Sequence, residues 1–198
     1  EVIGRLTSAQ VQGLTASQVR ELTTAQVAAM STTAVSALSA EQMVALTTDQ
    51  YRSLSSTQMA ALTTTQVAAI PTAAIQVLDP ATVSRLTTAQ VGSLTTSQVV
   101  ALTTDQAAAL GTAQVAALST DQVRSIEAVD LAQLTTAAVV ALSTAQVAAL
   151  SLTQVAALTP TQLAAMETAD LAALGTAQVA VLNGSQLAAM TPTQVAAL

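Results

Sequence analysis

A large aliphatic residue returns every eight positions from Leu6 to Leu198 without a slip, and no other feature of the chain limits its fold so severely. Twenty-five positions obey the rule, with Met30 and Met190 among the substitutes for leucine. A second apolar residue follows five positions later, usually valine, as at Val11, Val19, Val27, Val67, Val115 and Val195. The consensus unit is Leu-Thr-Thr-Ala-Gln-Val-Ala-Ala.

An unbroken helix turns about 100° per residue, so an eight-residue step moves an apolar stripe about 80° around its axis. One long amphipathic helix is therefore excluded. Strict apolar alternation is also missing, and Ala and Gln are poor strand formers, which leaves a β-solenoid as a minor alternative. Each octapeptide has to contain its own break.

That break falls at the second position of the unit, where 21 of 24 residues are Thr, Ser, Asp, Asn or Gly, the types that cap helix N-termini. Three residues later, 18 of 24 units carry Gln. Thr7 with Gln10, Thr23 with Gln26 and Ser119 with Gln122 thus read as capping boxes, each satisfying two orphan amides reciprocally. Leu just before the cap and Val at the fourth helical position stand where a hydrophobic staple packs, Leu6 with Val11 being the first. Pro80, Pro160 and Pro192 all fall at the first helical position, where a missing amide costs nothing, and only Pro71 occupies the cap itself. Glu41, Asp49, Asp105 and Asp121 take the second helical position, at the positive end of the helix dipole.

The pattern predicts an all-α solenoid of about 24 octapeptide repeats, each one short capped helix of about six residues followed by a kink of one or two. The whole of 1–198 reads as a single array. Helices this short are unstable alone, so they must stack, with Leu and Val inside. The fourth, seventh and eighth positions point outward, Arg20, Arg52, Arg85 and Arg124 among them.

Composition closes most chemistry to such a chain. It has no His, Cys or Lys, so nucleophilic triads, thiolate metal sites and phosphate-binding loops lack their parts. Neither catalytic, cofactor-binding nor metal-binding residues are expected. Glu127 with Asp130 and Glu167 with Asp170 are the one constellation resembling an acid/base or cation site. In both units Glu takes the cap position and Asp the Gln position, which reads as a capping box with the side-chain lengths exchanged. Tyr51, the one aromatic residue, occupies a Val position and reads as core rather than as a binding anchor.

A net charge of −6 repels nucleic-acid phosphates and offers nothing to an anionic membrane surface. No apolar run approaches the roughly 18 residues that cross a bilayer. The opening Glu1-Val2-Ile3-Gly4-Arg5 lacks the basic and apolar regions of a signal peptide, so the chain reads as an internal piece of something longer.

The stretch Leu142-Ser143-Thr144-Ala145-Gln146-Val147-Ala148-Ala149-Leu150 resembles the octapeptide repeat regions of very large bacterial surface or secreted proteins, adhesin-like ones included. That resemblance spans the chain and implies an extended spacer at the cell surface or outside it. Locally, Leu158-Thr159-Pro160-Thr161-Gln162-Leu163-Ala164-Ala165 is similar to the first helix of the DNA-reading repeats of TAL effectors. Those repeats are about four times longer and basic, and no variable loop to contact bases is visible here. Two further roles fit the outward positions: self-association or protein binding through Ala- and Thr-rich faces, and binding of ice or another flat surface through rows of Thr.

Overall fold

The computed structural model describes residues 7–198, so Leu6 and Arg5 lie outside the described residues. Among these residues every regular element is a helix of four to six residues, 24 in all, from Ser8–Gln12 to Pro192–Ala196. The fold is an all-α repeat solenoid.

One unit shows how the local chemistry builds it. Thr23 is extended (φ −71°, ψ 155°), and its hydroxyl accepts from the amide of Gln26 at 3.2 Å. The Gln26 side-chain oxygen accepts from the Thr23 amide at 2.7 Å. Helix Thr24–Ala28 follows, and Met30 closes it by donating to the Val27 carbonyl at 3.1 Å, a tightened last turn. The chain then bends through two extended residues, the aliphatic residue and the next cap, as at Leu46 (φ −61°, ψ 137°) and Thr47 (φ −76°, ψ 161°). No described residue has positive φ, so the bend needs no left-handed glycine and any cap residue can follow any aliphatic one.

The prolines obey the same logic. Pro80, Pro160 and Pro192 open their helices, while Pro71 is a cap without a side-chain bond.

Two compact units are present, the first running to Leu102 and the second from Thr103 to Leu198. In the first, Ala40–Ala45 packs on Ala16–Arg20 and Thr48–Ser53 on Thr24–Ala28. In the second, Leu152–Ala157 packs on Ala128–Gln133 and Gly184–Ala189 on Pro160–Ala165. In each case the partner lies three helices away, so within either unit the chain comes back alongside itself after three to four octapeptides. The core is the pair of columns the periodicity marks: Val35, Val67, Val115 and Val155 are fully buried, with Leu38, Ile70, Leu118 and Leu158 almost so.

Tyr51, Met43 and Met59 fill Val positions as the largest fully buried side chains. The seventh residue of the unit is exposed as expected at Arg20, Arg52 and Arg124, and so is Arg85 at an eighth position. Most eighth residues, such as Ala61, Ala69 and Ala117, are instead half-buried. The reason is angular. Gln is buried along with Val, which widens the buried sector toward the eighth position, about 60° from Gln on the wheel.

Candidate functional site

The most organised polar feature is a ladder of glutamines. Gln42 accepts from the Ser39 amide at 2.8 Å through its side-chain oxygen, which completes the capping box. Its Nε2 is then turned inward and donates to the carbonyls of Val11 at 2.8 Å and Leu14 at 2.6 Å, 31 and 28 residues earlier. Gln98 repeats this on Val67 and Ile70 at 2.8 and 2.7 Å, and in the second unit Gln154 does so on Val123 and Ile126 at 2.8 and 2.7 Å. One side chain thus caps its own helix and also takes up carbonyls at the C-terminal end of a helix in the preceding turn, groups that a helix leaves unsatisfied.

Sequence reasoning identifies the cap but not the bridge. The trace it leaves is an absence: no Glu occupies any of the 24 positions, although Glu serves a capping box as well as Gln does. Only an amide offers an acceptor to the cap and donors to the carbonyls.

The carboxylate pairs behave differently from the exchanged capping box expected of them. Neither Glu127 nor Glu167 makes a side-chain cap bond, and both are exposed. A Glu side chain carries its oxygens too far from its own backbone to meet the amide that Ser or Thr reaches. Asp130 and Asp170 are buried, and Asp170 accepts from the Thr144 hydroxyl at 2.8 Å. Each pair is therefore split between surface and interior. Among the described residues no group of three or more acidic, His or Cys side chains is placed to hold a metal ion.

Tyr51 is core, and its hydroxyl donates to the Met43 carbonyl at 2.6 Å. Burial pushes its phenol well above the usual range. Arg52 pairs with Asp49 at 3.3 Å on the exposed face of one helix turn, a contact of small energetic weight.

The exterior is uniform by comparison. Residues at the first helical position, including Thr24, Thr64, Thr96 and Thr112, are exposed, while the preceding cap hydroxyls of Thr63 and Thr95 are engaged by Gln66 and Gln98 amides. No helix is long and apolar enough to cross a membrane among the described residues. The ALTTAQ repeat matches the sequence seven times, at residues 17–48, 24–55, 43–72, 67–104, 75–112, 123–160 and 163–198. No curated protein and no solved structure matches it.

Proposed function

The chain belongs to the ALTTAQ repeat family, and we propose that it is a non-enzymatic structural scaffold or spacer, one repeat array over 1–198 in a large extracellular bacterial protein. The observation that carries this reading is the glutamine ladder: the same bridge recurs in unit after unit, and departures from consensus such as Pro71, Glu127 and Tyr51 alter capping or core residues. Such an array supplies length in equal increments. The net charge of −6 argues against nucleic acid as the partner.

Scattering from the chain and from a version lengthened by eight internal octapeptides tests the proposal. Two to three extra turns at a helix spacing of 8–10 Å should add about 20 Å to the maximum dimension. Growth with the weak power of length expected of a globule would refute it. A second reading, binding to ice or another flat surface, draws on the exposed Thr24, Thr64, Thr96 and Thr112, and a thermal hysteresis assay decides it.

A further inference from the structure

We infer that the second unit binds a monovalent cation of sodium size beside Asp170, held by that carboxylate, the carbonyls of Val139 and Leu142 and the hydroxyl oxygen of Thr144.

The site is a rung of the ladder in which the donor has been exchanged for an acceptor. On either side of it the rungs are closed: Gln162 donates to Leu131 and Leu134 at 3.2 and 2.9 Å, and Gln178 to Val147 and Leu150 at 3.4 and 2.7 Å. In the same register residue 170 stands opposite the carbonyls of Val139 and Leu142. Both residues are buried, and neither carbonyl receives a side-chain donor among the described residues. An ionised Asp170 has no hydrogen to offer them. Its side chain is also one methylene shorter than glutamine, so its oxygens stop about 1.5 Å short of where an amide nitrogen stands. Acceptors therefore face acceptors across a gap.

A further oxygen comes from the neighbouring coil. Helix Thr168–Leu171 packs on Thr144–Ala148, and the Thr144 hydroxyl donates to Asp170 at 2.8 Å, which leaves its lone pairs free. No basic side chain balances the carboxylate. The chain carries no Arg or Lys after Arg124, and Asp170 makes no ion pair among the described residues. A buried charge in that position is costly unless something positive joins it.

The oxygens select the occupant. One carboxylate with two carbonyls and a hydroxyl suits a hard cation, and soft metals have no His or Cys here to hold them. A single negative charge is neutralised by a monovalent ion, whereas a divalent ion would leave an excess positive charge. Helices Thr136–Val140 and Thr144–Ala148 add no acidic residue, and Glu167 is exposed. The ion takes the place of the missing amide hydrogens and joins the two coils as glutamine does elsewhere.

Hydrogen exchange and thermal unfolding of the full chain test the site, with sodium chloride replacing tetramethylammonium chloride at constant ionic strength and neutral pH. In the wild type, amides of Thr136–Val140, Thr144–Ala148 and Thr168–Leu171 should exchange at least about tenfold more slowly at saturating sodium, with a one-site dependence on concentration. Asp170→Gln restores the consensus rung, so it should fold and show the slow exchange without any response to sodium. Thr144→Val should still respond, at about tenfold higher sodium concentration. A wild type indifferent to sodium, including one stabilised by acid alone through a protonated carboxyl, would overturn the site. So would a response at these helices that persists in Asp170→Gln, or protection by calcium with none by sodium.

Discussion

The hydroxyl of Tyr51 donates at 2.6 Å to the carbonyl of Met43, the atom that lies 31 residues before Ala74 and that a glutamine at position 74 would reach by the rule of the ladder. The chain's one tyrosine thus supplies a donor where the ladder lacks one. Tyr51→Phe should lower stability by about 1–3 kcal/mol, the cost of a buried acceptor losing its donor. Restoring the consensus with Tyr51→Val and Ala74→Gln together should recover part of it. Chemical denaturation of the four members of the cycle checks this, and additive effects would show that the two positions do not share the carbonyl.

The same phenol gives a dependence on pH. Burial raises its folded pKa above the ordinary value of about 10, so its contribution to stability is complete below about pH 10 and is lost as pH climbs toward the folded value. Phenolate absorbance in the native protein should lag behind that of free tyrosine in an alkaline titration. A native-state phenolate near pH 10 would contradict the burial.

Gln98→Glu separates the two tasks of the ladder. The cap on Thr95 survives, but a carboxylate then faces the carbonyls of Val67 and Ile70. At neutral pH the expected cost is about 2–4 kcal/mol, easing in acid as the carboxyl gains a proton to donate. Gln18→Glu, whose Nε2 has no acceptor among the described residues, should be nearly neutral. Equal melting shifts for the two would mean that the bridge adds nothing to the cap.

Thr95 and Thr96 are adjacent and chemically identical, yet only Thr95 accepts from the Gln98 amide, at 3.2 Å. Thr95→Ala should cost about 1 kcal/mol and Thr96→Ala little. Melting curves that coincide would move the cap by one residue.

Asp170 occupies a ladder position with a side chain that has no donor when ionised. Asp170→Gln should bring donors to the carbonyls of Val139 and Leu142, in the register of the other glutamines, and remove a buried carboxylate. The expected gain is about 1–2 kcal/mol after loss of the 2.8 Å bond from Thr144. A destabilised variant would show that the Thr144 contact outweighs the bridge.

What the sequence reveals follows the range of each interaction. The Thr23–Gln26 box, the staple and Pro160 at a helix start are all contained within a few neighbouring residues, so an eight-residue repeat displays them directly. The bond from Gln98 to Ile70 joins residues 28 apart, and its existence depends on how far the chain coils before returning. A period of eight does not encode that. The half-burial of Ala61 and Ala117 follows from the same unseen contact, because the buried sector widens once Gln turns inward. Glu127 with Asp130 misleads for a geometric reason: residue types are exchanged in sequence, but the lengths of the side chains do not exchange their reach.

The ladder also determines how such a molecule yields when pulled. The bridges span 28 to 31 residues and, within each unit, tie one coil to the one before it, so tension that peels a unit from one end loads its outermost bridge first and spares those behind it. Freeing one octapeptide releases about 28 Å of slack, after which the next bridge meets the same load. The physical expectation is lengthening in near-equal steps at a nearly constant force, each step undoing one set of bridges like the set before it.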